Sequence, residues 1–173
     1  MTTKITVGID LAGKTENPTG WALLRRKILR TGIIYSDNGI LEIVENNKLS
    51  IIAVDAPFNL PRKGVLRRAD KEMISRGLRV FPPRLPAMKA LTQRAIRLNK
   101  LIAERGYNTI EAHPTSTRRT LNLAPKEWGR IQAILACIGL KGDVKLRALA
   151  SHEIGAATAR AQDTFTCEDK LKQ

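Results

Sequence analysis

Aromatic side chains are scarce in this chain: Phe, Tyr and Trp make up 4% of its 173 residues. Platforms that stack single-stranded nucleic acid need exposed aromatics. In any complex with nucleic acid, the composition therefore favours backbone contacts over base stacking. Cysteine is equally thin, with Cys137 and Cys167 far apart and neither in a C-x-x-C pair. That excludes a disulfide scaffold and leads us to expect reduced thiols. His113 and His152 are the two histidines, and they are not spaced like a zinc site. No apolar run reaches the roughly 18 residues of a membrane span. The opening "MTTKITVGID" lacks the apolar centre of a signal peptide. The expectation is a cytoplasmic chain with no membrane partner. With 43% hydrophobic and 27% charged residues it reads as globular rather than disordered. Its length suits a single domain over residues 1–173.

What the chain has in excess is positive charge, +14 with a pI near 10.4. Residues 62–130 hold 17 Lys/Arg against 5 Asp/Glu, a net +12, so nearly all the excess lies there. A local excess points to a polyanionic partner, DNA or RNA backbone. The plainer alternative is a solvated basic surface.

Patterning along the chain predicts a mixed α/β architecture. "KITVGIDLA" alternates with period two and reads as a strand. "ENPTG" is turn chemistry, and "GWALLRR" and "ILRTGIIYS" continue an antiparallel meander. Ser36 or Asp37 is placed to cap a helix through "NGILEIVENN". "LSIIAVDAP" is a short apolar run typical of a strand buried on both faces. The basic segment at about 62–130 is mostly helical. "VLRRADKEMISRG" ends at Gly77, and "PAMKALTQRAIRLNKLIAERG" ends at Gly106. The second helix puts Met88, Leu91, Ala95, Leu98 and Ile102 on one face, with Lys89, Arg94, Arg97, Lys100 and Arg105 expected on a solvated one. "YNTIEAHP" is a strand stopped by Pro114, followed by a helix capped from Thr115 or Ser116. Two more helices are expected, one after Pro125 and one after Ser151.

Residues 8–15, "GIDLAGKT", match the phosphate-loop pattern G-x-x-x-x-G-K-[ST]. Such a loop works because a helix starts at its Lys-Thr and presents N–H groups to phosphate. Here Pro18 keeps Asn17 out of the helical region, and Gly20 follows at once. The residues before the turn continue the strand's alternation. The stretch reads as a strand–turn–strand hairpin that carries Asp10.

Three strands carry a carboxylate in apolar sequence: Asp10 in "VGIDLA", Asp55 in "IIAVDAP" and Glu111 in "TIEAHP". A buried carboxylate is costly unless compensated. Three on one sheet point to shared coordination of a hard divalent cation, Mg²⁺ or Mn²⁺. Such a site activates water for phosphodiester cleavage.

The segments "GIDLA", "VDAPFNLPR", "RRADKEM", "FPP", "MKALTQRAIRLNKLI", "IEAHPTSTRR" and "HEIGAATA" follow one another in order. Together they resemble a family of unknown function, domain of unknown function 429, whose members are described as predicted ribonuclease-H-like nucleases. The resemblance implies a ribonuclease-H-like α/β fold: a five-stranded mixed sheet, its first three strands antiparallel, flanked by helices. It also implies that Asp10, Asp55 and Glu111 bind the metal and act as catalytic residues. Arg62, Arg67 and Arg68 match the family and would hold a substrate phosphate, with Arg118 and Arg119 in the "STRR" tract as further backbone contacts. The family's last helix usually reads "HEIDAA", and this chain has Gly155 where that Asp stands. His152 lies one turn back on the same helical face and would approach the metal or a water, or else simply sit in the capping turn. The sequence reading is thus a metal-dependent, ribonuclease-H-like nuclease acting on nucleic acid. Its rivals are a non-catalytic nucleic-acid-binding protein of the same fold and a nucleotide-dependent phosphotransferase.

Overall fold

The computed structural model describes residues 5–49, 51–121 and 128–145. His152, Gly155 and the expected last helix lie outside the described residues. The chain folds in the order β1 (Ile5–Asp10), β2 (Thr19–Arg25), β3 (Ile28–Ile34), α1 (Asp37–Asn46), β4 (Ile51–Val54), α2 (Arg68–Ser75), α3 (Pro86–Glu104), β5 (Thr109–Glu111), α4 (Pro114–Thr120), α5 (Trp128–Cys137) and β6 (Lys141–Gly142), which runs into a short 3-10 turn.

One mixed sheet has the strand order β5-β4-β1-β2-β3-β6. β1, β2 and β3 form the expected antiparallel meander, and β4 and β5 add in parallel on the other side of β1. The expected five strands are six. Two residues have no periodicity to read, so β6 left no signal in the sequence. It pairs in parallel with Ile28 and Leu29 of β3. The Asp143 carboxylate fastens it by accepting from the Thr31 N–H at 2.7 Å. Gly142 has φ +85°, and a Cβ there would stand 2.3 Å from the Leu29 carbonyl oxygen, so only glycine fits.

The core lies between the sheet and helices α1 and α3. Val7 and Ile9 of β1, and Ile52 and Val54 of β4, meet Ile40, Leu41 and Val44 of α1 and Ala95, Leu98 and Ile102 of α3. Alternation puts each strand's buried residues on one face. β4 was expected to be buried on both faces, yet Ile51 is 39% exposed. Its burial alternates like that of a half-covered strand.

Local chemistry sets the helix ends. Ser36 caps α1, its Oγ accepting from the Gly39 N–H. After α2, Gly77 adopts φ +74°, and the N–H groups of Gly77 and Leu78 close on the carbonyls of Ile74 and Met73. α4 departs from expectation. His113 rather than Thr115 or Ser116 is its cap, with the ring accepting from the Ser116 N–H and Pro114 in the first turn. Cys137 stands at the end of α5, and Cys167 lies outside the described residues.

Arg94 is the other correction. Helical periodicity assigned it to the solvated face of α3, but it is 1% exposed. Its Nε donates to Asp37 at 2.8 Å, and Nη1 donates to the carbonyls of Ala12 and Lys14 at 2.8 and 3.3 Å. Nη1 also reaches Thr19 Oγ1, which itself accepts from the Ala12 N–H. The hairpin turn after β1 is therefore closed around a cation, with carbonyl oxygens facing inward. A phosphate loop needs the opposite polarity, with N–H groups facing inward. Replacing Arg94 with Met would strand Asp37 and the turn carbonyls, at a cost of about 3–5 kcal/mol. Urea denaturation of R94M beside the parent protein measures the loss, and an unchanged midpoint would contradict this account.

Candidate functional site

β1, β4 and β5 run parallel and side by side, so their carboxyl ends share one edge of the sheet. Open α/β sheets bind ligands beyond that edge. Asp10 is the last residue of β1, Asp55 follows Val54 of β4, and Glu111 ends β5. The Asp55 N–H donates to the Ile9 carbonyl at 2.8 Å, which extends the β1–β4 pairing up to the two aspartates. All three acids line one cleft of about 760 Å³, together with Arg67, Arg68, Asp70 and His113.

The three acids have different surroundings. Asp55 is pushed up from 3.8 to about 6, first by burial and then by the neighbouring charge of Asp10, while the Arg118 cation pulls the other way. Two carboxylates are thus close enough to repel, with one of them half-buried. Glu111 is spent elsewhere. Arg67 grips it with two hydrogen bonds, Nη1 to Oε2 at 2.7 Å and Nη2 to Oε1 at 2.6 Å, and Oε2 also accepts from the Phe58 N–H. The same guanidinium donates to Asp70, which is 2% exposed and also accepts from the Arg67 N–H at 2.7 Å. Burial works against the Arg67 charge, but these hydrogen bonds hold its pKa above the ordinary value.

Pairing register is consistent with this division. Glu111 is level with Val54, one residue short of Asp55. Successive residues in a strand leave on opposite faces, so an acid at that level is offset from the aspartate pair. Among the described residues, no three His, Cys, Asp or Glu side chains group closely enough to hold a metal ion. Convergence is therefore of two carboxylates, with the third engaged by an arginine.

The predicted arginines also divide. Arg67 is occupied by Asp70 and Glu111, and so is a structural clamp rather than an open phosphate contact. Arg68 is exposed and lines the cleft. Arg118 lies near enough to act on Asp55. Arg119 donates to the Gly77 carbonyl at 2.6 Å and so ties α4 to the end of α2. Arg62 is exposed and stands outside the cleft lining. His113 has its pKa lowered by burial, against the charge of Glu111, and its Nδ1 is 2.7 Å from Ser116 Oγ. It serves as the α4 cap at the cleft wall. Sequence reasoning missed the Arg67–Glu111 pair, because its 44-residue separation leaves no periodic trace.

The family described as Protein of unknown function (DUF429) matches residues 8–127. The chain belongs to this family. The matched span begins within β1, runs past β5 and contains every residue that lines the cleft. No curated protein and no solved structure matches the chain. Among the described residues, no helix is long and apolar enough to cross a membrane.

The Asp55 carboxyl holds its proton more tightly in the folded chain than in the unfolded one. Its ionisation therefore costs stability, and that cost disappears as pH falls from about 6 towards 3.8. Asp55→Asn should raise the melting temperature most above pH 6, with the gain shrinking to nothing near pH 4. Calorimetry of both proteins across this range measures it, and a constant difference would contradict the assigned environment.

The Arg67 clamp makes a separate prediction. Arg67→Met would leave Asp70 charged, buried and without its cation, costing about 3–5 kcal/mol in chemical denaturation. Arg68→Met, which removes an exposed charge, should stay within about 0.5 kcal/mol of the parent.

Proposed function

We propose that this protein is a divalent-cation-dependent nuclease of ribonuclease-H-like type, with Asp10 and Asp55 as the cation ligands. The observation that carries this reading is the aspartate pair itself: two carboxylates at the ends of neighbouring parallel strands, one raised to about 6 by burial and by the other. A cation relieves that repulsion. Mg²⁺ and Mn²⁺ are commonly held by one or two carboxylates, with the remaining positions filled by water and substrate phosphate. The donor set fits such an ion without a third acid. The antiparallel β1–β3 meander with parallel β4 and β5 supports the fold assignment, with β6 as an addition at the far edge.

When bound, the cation supplies the positive charge that favours attack on a phosphodiester and stabilises the leaving oxygen. The chain's residues do the rest. Asp10 and Asp55 orient their oxygens at the sheet edge. Arg68, which lines the cleft, and Arg118, whose charge acts on Asp55, supply positive charge for a phosphate. The Arg67–Asp70–Glu111 cluster holds the N-terminus of α2 against the end of β5 and so keeps the cleft's shape. The basic residues of 62–130 attract the polyanion.

A second reading, a nucleic-acid-binding protein without catalysis, is favoured by one observation: Glu111 is occupied by Arg67. Labelled branched, duplex and hybrid substrates incubated with Mn²⁺ separate the two. Asp10→Asn should lose more than the ~10–100-fold typical of residues that only support a ligand. Cleavage that survives D10N would overturn the proposal, and salt-sensitive binding with no cleavage would favour the second reading.

A further inference from the structure

The cleft has two chemically different sides. The cation and phosphate chemistry proposed above uses Asp10, Asp55 and Arg68. It leaves unused an apolar wall built by Met73, Val80, Phe81, Met88 and Leu91. Phe81 is 69% exposed, more than any other large apolar side chain among the described residues.

That exposure is built into a stiff loop. Pro82 and Pro83 follow Phe81, which fixes two successive φ angles, and Pro83 is buried. The Leu85 N–H closes on the Pro82 carbonyl at 3.0 Å, and Arg84 Nη2 donates to the Pro61 carbonyl at 2.8 Å. The ring is thus held out at the cleft by a segment anchored on both strand-side and helix-side chain. The sequence on either side carries charge of one sign: residues 73–103 contain seven Lys/Arg, of which Arg94 is buried, and no Asp or Glu. Arg79 and Arg84, on either side of Phe81 in sequence, are both exposed.

An exposed aromatic interleaved with exposed arginines is the combination that holds single strands, with the ring taking a base and the cations the backbone. We infer that Phe81 stacks on an unpaired base of a nucleic-acid strand whose backbone runs past Arg68, Arg79 and Arg84. The substrate is therefore single-stranded at the cleft, because the bases of an intact duplex are stacked on each other and present no free face. This rests on nucleic acid being the substrate. It also revises the expectation drawn from aromatic scarcity: one ring suffices where the fold places it at the cleft.

The test is direct binding, without divalent cation, of a labelled strand of about a dozen thymidines. The same strand with its central bases removed and a duplex of equal length serve as comparisons. Phe81→Ala should weaken binding of the intact strand about tenfold or more, and Phe81→Trp should restore it. The abasic strand should bind the parent and F81A alike, and the duplex should show no Phe81 dependence. Equal affinity of F81A and parent for the intact strand would overturn the inference. So would equal losses on the intact and abasic strands, or an F81A variant that turns a parent dimer into a monomer on sedimentation. Because no cation is present, the result is independent of catalysis. Phe81-dependent binding without Mn²⁺-dependent cleavage sinks the nuclease reading alone, whereas Asp10-dependent cleavage with no Phe81 effect sinks this inference alone.

Discussion

A buried guanidinium organises the half of the molecule around the first hairpin. Arg94 reaches from α3 to Asp37 at the start of α1 and to the turn that follows Asp10. Apolar packing brings α1, α3 and β1 together, but it is non-directional and does not by itself set the position of a loop. Hydrogen bonds from one planar cation to a carboxylate and two carbonyls do. The turn after Asp10 is thereby held in one shape, and the aspartate's backbone with it. The charge is paired through Nε and Nη1, which offsets the cost of so complete a burial, while Nη2 is buried with no hydrogen-bond partner among the described residues.

Arg67 repeats the device at the other side of the cleft. It ties α2 to β5 through Asp70 and Glu111, and the Phe58 N–H joins the same cluster. Two arginines that composition would count among the polyanion-binding charges are therefore internal parts of the scaffold. Among the cations that remain, Arg68 lines the cleft, and Arg79 and Arg84 flank Phe81 in sequence. Net charge was a sound guide to the presence of a basic surface and a poor guide to which residues form it.

Much of the fold was legible in the sequence. Period-two alternation located β1, β2 and β3, and glycine and proline punctuation located the ends of α2 and α3. The phosphate-loop match in "GIDLAGKT" was rejected on Pro18 and Gly20, and the structure adds two carbonyls of the turn, those of Ala12 and Lys14, turned inward onto Arg94. Legibility failed where the deciding partner is distant. Arg94 looked solvated because a helical wheel records angle but not what waits there. β6 was too short to have a pattern. Glu111 resembled Asp10 and Asp55 in local sequence, yet Arg67 claims it from 44 residues away.

The sequence by itself determined the elements, the carboxylates at the ends of three strands, and the concentration of positive charge, because each depends on local periodicity, turn chemistry or counting. Only the tertiary structure decided how those charges divide. Register put Glu111 out of line with the aspartate pair, burial raised Asp55 beside Asp10, and a proline-stiffened loop set Phe81 at the edge of the same cleft. Ionisable groups act through distance and desolvation, and neither is defined until the chain has folded.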